Sequence, residues 1–308
     1  MALSAHTVSA RGSFLYFRTL IDNSQYVIES TSSGDRGHSS RYDWDPGVRA
    51  ALCVTIAPRN FEIEAEGTYL HNEGSGRVPK SLTLDTPRLI SPFPQIFSEG
   101  ATPYNLHASY DLDLRYQLYH LLLGTSFTRS SSHFRIFMGP SAAFIEQRWD
   151  LKYFALDNRT LGKIDLDYKS GGIRMGGNLK WLIGKGVSLS SQLALGGYLG
   201  SYDKIDRFIE TFSSTGQMIT LRNLRIDETR FAFNLQFIVG PSFDHQFKRM
   251  GLHLFAGYEI NPWFNLCPTQ DSSLLTLQGL NVTLGFDWYF FFNMLVWAPW
   301  CAPHFFVS

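Results

Sequence analysis

The sequence predicts an all-β fold: a transmembrane antiparallel up-and-down β-barrel of ten strands, with twelve as the alternative. Three observations predict it. Residues 104–118 alternate without a break, Tyr104, Leu106, Ala108, Tyr110, Leu112, Leu114, Tyr116 and Leu118 against Asn105, His107, Ser109, Asp111, Asp113, Arg115 and Gln117. A period of two puts the apolar set on one face of an extended strand. Strands of soluble domains run about five or six residues, whereas a tilted bilayer-crossing strand needs about ten. The same alternation recurs along the chain, and its connections are short on one side and long on the other, as in outer-membrane barrels.

A weaker first strand covers 13–20. The second, 42–56, sets Trp44, Val48, Leu52 and Val54 against Asp43, Asp45 and Arg49. In the third, Phe61, Ile63, Ala65 and Tyr69 alternate with Glu62, Glu64, Glu66 and Thr68. The fourth is 104–118, its apolar face assigned to lipid and its polar face to a lumen. Strands follow at 134–144, 173–181, 187–199, 231–244, 252–259 and 280–290. Short connections fall at 57–60, 184–186 and 245–250. Long ones, rich in Ser, Asp, Pro and Gly, fall at 21–40, 73–103, 153–165, 204–223 and 265–276, giving five surface loops. The stretch 119–132 fits neither class. A hairpin hidden in 82–90 is the source of the twelve-strand alternative. An even strand number places both chain ends on the short-turn side, the periplasm.

Charge is balanced, 27 basic against 27 acidic residues, which gives no pull toward nucleic acid. Aromatic content is 15%, with 25 Phe and 26 Gly. Barrels use aromatics at the membrane interfaces and glycine at turns and crowded interior positions. Tyr42, Trp44, Tyr104, Tyr116, Trp181, Phe243 and Trp288 are the girdle candidates. Cys53, Cys267 and Cys301 fit neither a disulfide framework nor a zinc site. Residues 1–10 lack a basic and then apolar leader, which counts against the outer-membrane reading; a processed or engineered start, with Met1 added, would resolve the conflict. The apolar tail 288–307 is broken by Asn293, Pro299, Pro303 and His304 and continues a strand pattern rather than a membrane helix. One domain is expected over 1–308, a barrel from about 12 to 290 followed by an extension, 291–308.

The chain has no nucleophile elbow, phosphate loop, CxxC pair or HExxH. His107 and His253 lie on polar parities of separate strands, where a rim active site could use them. The expectation is nonetheless a non-enzyme without cofactor or metal. Glu62, Glu64 and Glu66 repeat about 7 Å apart on one face. They form either a cation-favouring stripe or a ladder neutralised by Arg49, Arg115 or Arg135. The candidate lumen residues are Glu62, Glu64, Glu66, His107, Asp111, Asp113, Arg115, Arg135, Arg174 and Lys180.

Residues 42–52, YDWDPGVRAAL, resemble the WDPGFRVGLGY-like segment of the major-outer-membrane-protein-like porins of Legionella and Chlamydia-related bacteria. Three further stretches are similar in order: FRIFMGPSAAFIEQRW, Gly257–Glu259 with Trp263–Asn265, and LQGLNVTLGFDWYF. The resemblance implies an outer-membrane barrel that is both a diffusion pore and a structural surface protein. Ala51 and Cys53 depart from the small Gly-type residues of that pattern, and the tail after the last strand is a second departure. Cysteine crosslinking, a property of the chlamydial relatives, fits poorly with three cysteines.

Three functions therefore stand in order. Passive passage of small hydrophilic solutes or ions comes first, in the outer membrane with its lipopolysaccharide as partner and an oligomer open. A closed-lumen surface barrel that binds through its loops is second, because known aqueous channels use about 16–18 strands. An outer-membrane enzyme is third.

Overall fold

The computed structural model describes residues 5–22, 24–31, 34–56, 61–79, 88–90, 107–155, 158–212, 215–248, 250–266 and 274–291. Its strands, in chain order, are β1 (Ala5–Ile21), β2 (Gln25–Thr31), β3 (Gly34–Ser39), β4 (Trp44–Ile56), β5 (Phe61–Pro79), β6 (Arg88–Ile90), β7 (His107–Arg129), β8 (Ser132–Phe154), β9 (Asn158–Gly184), β10 (Val187–Phe212), β11 (Met218–Gln246), β12 (Met250–Phe264) and β13 (Leu274–Phe291). Ten of them close an antiparallel barrel in the order β1-β13-β12-β11-β10-β9-β8-β7-β5-β4. Closure leaves no edge: β1 pairs with β13 on one side and β4 on the other. Each predicted strand falls on one of these ten, although 42–56 starts two residues before β4 and the first three residues of 104–118 lie outside the described residues. Residues 88–90 form β6, which pairs with β2 outside the barrel, so the twelve-strand alternative falls away among the described residues.

The strands are much longer than the alternation suggested. β7 and β8 each have 23 residues and β9 has 27. At about 3.3 Å per residue and a tilt near 40°, 23 residues stand roughly 55–60 Å tall, against an apolar band of about 25 Å. Two of the expected long loops are consequently replaced by strand. The chain crosses from β8 to β9 at 155–157 and from β10 to β11 at 213–217. At the end where β1 starts and β13 finishes, the described turns are tight. Lys185 and Gly186, both at positive φ (47° and 83°), make the type I′ geometry that joins two right-twisted strands.

The wall has two chemistries, and β7 shows the change. Its even-numbered residues face inward throughout, and its odd-numbered residues face outward. Ala108, Tyr110, Leu112, Leu114, Tyr116 and Leu118 are buried inside, while Asp111 and Arg115 are exposed outside. Past Leu118 the outward residues become Tyr119, Leu121, Leu123 and Phe127, each about half exposed, and the inward His120 is polar. The face assignment of residues 107–118 is therefore the reverse of the sequence-based expectation. Tyr104 and Leu106 lie outside the described residues.

The reversal runs round the barrel at one level. On β8 the outward residues pass from Phe134, Ile136, Met138 and Phe144 to Glu146, Arg148, Asp150 and Lys152. On β9 they pass from Lys163, Asp165, Asp167 and Lys169 to Ile173, Met175, Leu179 and Trp181. The reason is solvent. Next to lipid the outside must be apolar and the inside can be wet; above the membrane the outside is wet, so the inside must be dry to hold the fold. Outer-wall carboxylates above the band are tied to cations across neighbouring strands, as in Lys152–Asp111 (2.7 Å), Arg148–Asp165 (3.1 Å) and Arg225–Asp203 (2.9 Å).

Of the girdle candidates, Trp44, Trp181 and Phe243 face outward, Trp44 stacking on Tyr16. Tyr42 and Tyr116 are instead buried inside, because they lie above the reversal. The small sheet β3-β2-β6 sits at the distal end, with Tyr26 and Val27 buried in the barrel's core. Tyr153 donates to the Tyr26 carbonyl (2.7 Å), and the Tyr26 ring meets Tyr110 edge-on at 4.5 Å. Burial, with Tyr110 beside it, pushes the Tyr26 phenol up to about 12.

Neighbouring residues on β7 should therefore differ sharply in their contribution to stability. Leu114→Ala should cost about 2–5 kcal/mol by opening the interior, whereas Asp113→Ala, on the outer wall, should cost under about 1 kcal/mol. Denaturant titration of the refolded protein measures both, and the opposite ranking would restore the lipid-facing assignment of Leu114.

Candidate functional site

The lumen is the site that a transport or binding role would use, and it is built in three layers. The distal layer is apolar. Tyr116 on β7 and Trp263 on β12 stand five strands apart in the ring of ten, directly opposite. Their rings nevertheless meet edge-on at 6.0 Å, and Tyr198 from β10 packs against Trp263 at 4.8 Å. Both Tyr116 and Trp263 are essentially inaccessible to solvent. Leu15, Leu70, Ile145, Trp149, Tyr168 and Leu277 fill the space around them. Phe208 lies over Gly162, where a Cβ would come within 2.2 Å of the ring, so a glycine is needed to seat it.

Beneath the aromatics is a buried hydrogen-bonded layer. Arg49 on β4 reaches across to Glu259 on β12 with two nitrogens, at 3.0 and 2.7 Å, and its Nε donates to Thr68 (2.9 Å). Glu259 also accepts from Gln236 and from Asn281 (2.8 Å). Arg174 donates to Gln236, and Asn234 to Asn261, whose amide in turn donates to the Tyr116 hydroxyl (3.3 Å). On the opposite wall His120 meets Ser141 at 2.7 Å, and Ser141 meets the Tyr198 hydroxyl at 2.9 Å. Removing Arg49 would strand the fully buried Glu259, and removing Glu259 would take the two-nitrogen partner from Arg49; unpairing a buried charge is the costly way to break such a pair.

The third layer opens toward the tight turns as a polar cavity of about 330 Å³. Glu62 and Glu64 are both held by Arg135, Glu64 also by Arg11, and Glu66 lies 3.6 Å from Arg49. Across the cavity Asp244 pairs with Lys180 and with His253 (2.8 Å). Cys53 is buried on this wall and has no disulfide partner among the described residues. Cys267 and Cys301 lie outside them.

Glu62, Glu64, Glu66, Arg135, Arg174 and Lys180 thus point inward, the first three as a row bound by Arg11, Arg49 and Arg135. Arg115 takes no part in that row. His107, Asp111, Asp113 and Arg115 are on the outer wall, a correction that follows from the reversal on β7. His107 stacks on Phe154 at 4.2 Å; partial burial, then the charge of nearby Arg77, holds its imidazole below the usual histidine range. His71, which pairs with Asp113 at 2.9 Å, and Glu73 lie beside these groups on the outer wall. Sequence reasoning missed Tyr116, Glu259 and Trp263 as lumen-closing residues. Glu259 is inward-facing in a short strand otherwise poor in charge, and that isolation was the available signal.

A family model described as the Legionella pneumophila major outer membrane protein precursor matches residues 4–279. No curated protein matches the sequence. Among solved structures, the chain is similar to the outer membrane protease OmpT from Escherichia coli at 8% identity and a TM-score of 0.40, over 92% of this chain and 97% of that one. It is similar to Ail, the attachment invasion locus protein of Yersinia pestis, at 8% identity and TM-score 0.23, over 94% and 100%. It is also similar to the Pseudomonas putida toluene transporter TodX at 7% identity and TM-score 0.25, over 95% and 92%. Likenesses this remote carry no argument about activity.

Glu259→Gln should destabilise the barrel by about 3 kcal/mol, because buried Arg49 loses its two-nitrogen partner and keeps only the longer contact to Glu66. The double variant Arg49→Met/Glu259→Leu should recover much of that loss. Both are read from the denaturant midpoint in detergent, and an unchanged midpoint for Glu259→Gln would show that the pair bears little of the fold.

Proposed function

The chain belongs to the Legionella major outer membrane protein family, and on that premise we propose that it is a closed-lumen surface barrel of the outer membrane. The membrane half anchors it. The distal half stands as a rigid, charge-paired column in the carbohydrate layer of the lipopolysaccharide, and contributes to the surface mechanically and through its outer wall. The observation that carries this reading is the Tyr116–Trp263 contact across the full width of the lumen, with the Arg49–Glu259 pair directly beneath it. Two stacked layers, one apolar and one densely hydrogen-bonded, leave no aqueous column for a hydrated ion.

The polar cavity on the periplasmic side favours the competing reading, passive passage of small hydrophilic solutes. Glu62, Arg135 and Lys180 would line its entrance. On the closed reading this cavity is a vestibule that ends blindly at Arg49 and Glu259. A rim active site is less favoured, since His107 and His253, the histidines it would draw on, lie at opposite ends of the barrel and on opposite faces of the wall. Binding, on the favoured reading, uses the strand-borne outer wall and the β2–β3 hairpin.

Planar-bilayer recording separates the two main readings. The wild-type protein, inserted and folded, should pass no steady ion current, and the Tyr116→Ala/Trp263→Ala variant should show leak events. Stable single-channel currents from the wild type would overturn the closed-lumen reading.

A further inference from the structure

The outer face of the membrane half is recessed over three neighbouring strands. A groove of about 540 Å³ runs over β8, β9 and β10, walled by Phe134, Ile136, Leu179, Leu193 and Phe237. Its floor is low because Gly177 and Ser191 face outward between larger neighbours: Gly177 pairs with Ile136 and Leu193, and Ser191 with Leu179 and Val239. Toward the tight-turn end it is continued by Phe127 and closed by Arg129. Arg129 is exposed, one residue before the β7–β8 turn, and makes no ion pair among the described residues.

The neighbouring turns repeat that charge. Lys185 stands in the β9–β10 turn and Lys248 between β11 and β12, both exposed. None of the segments 126–132, 182–188 and 245–250 contains an acidic residue. An apolar furrow that ends in a cation at headgroup depth, on an arc whose turns are otherwise only basic, matches one amphiphile: an acyl chain below an anionic phosphate. The chain ends and tight turns lie on the periplasmic side, where the leaflet is phospholipid.

We propose that this groove binds an anionic phospholipid of the inner leaflet, its acyl chain lying over Gly177 and Ser191 and its phosphate on Arg129, with Lys185 close by. The site is on the outside of the barrel and stands whether the lumen is open or closed. A flat wall would take any lipid; the furrow and the cation together select one.

The test uses the full-length protein, delipidated and exchanged into mixed micelles of phosphatidylglycerol and phosphatidylcholine, with retained lipid read by native mass spectrometry. Phosphatidylglycerol should be retained in preference. Arg129→Ala should lower that retention by about fivefold, the effect expected of one interfacial cation. Ser191→Phe, which fills the floor and leaves the cations in place, should lower it as well. Both variants should keep the folded, heat-modifiable gel mobility of the wild type. Equal retention of the two lipids, or wild-type retention in both variants, would overturn the site. So would a dimer of the chain that excess phosphatidylglycerol does not disperse, since a second copy would then be the groove's occupant.

Discussion

Every side chain on a barrel strand faces one of two media, and the rest of this structure depends on where that choice reverses. Below the level of Leu118 and Tyr119 the wall is apolar outside and polar inside; above it the arrangement is inverted without any interruption of the strand. A β-strand cannot rotate its side chains to the other face without a bulge, since the period of two is fixed by the backbone. The inversion is therefore made by the sequence alone, which places two apolar residues in succession at Leu118–Tyr119 and, on the neighbouring strand, at Phe144–Ile145, which pair with Gln117 and Tyr116 just beside them. The distal column then behaves as a soluble β-protein with a dry interior, continuous with a membrane protein below it.

That continuity sets the demands on the middle layer. Between the aromatic core and the polar cavity lies a zone where charges are buried but not yet paired with water. Arg49, Glu259, Arg174 and their amide partners occupy it, and nearly every group has a fixed acceptor or donor. Networks of this kind fix register, because displacing one member leaves several others unsatisfied. The exposed ion pairs of the outer wall act differently. They are screened and individually weak, and serve mainly to keep a long, edge-free column soluble.

The fold was legible in the sequence to a large extent, and for a physical reason: period-two alternation is a direct imprint of the pleat. Ten strands, antiparallel closure and the side carrying the chain ends could all be read from it. Strand length could not, since Lys163, Asp165 and Asp167 look like loop composition although they are the wet face of β9. Nor could the direction of the 107–118 face. Alternation separates two faces but says nothing about which one meets lipid, and Asp111, Asp113 and Arg115 are as well suited to an outer wall in water as to a lumen. The inward carboxylates Glu62, Glu64 and Glu66 were readable as a row, and Arg49 and Arg135 as their counter-charges. The contact that closes the lumen was not, because Tyr116 and Trp263 are 147 residues apart and only barrel closure brings them together.

The central claim is that the wall reverses its chemistry partway along continuous strands. Spin-label accessibility scanned residue by residue over 109–127 of β7, in lipid vesicles, tests it most directly. Labels at 111, 113 and 115 should collide with a water-soluble relaxant, those at 121, 123 and 127 with oxygen dissolved in the bilayer, and those at 112, 114 and 116 with neither. An oxygen-accessible label at 114, continuing the lipid pattern of 121 and 123 with the opposite parity, would contradict the account.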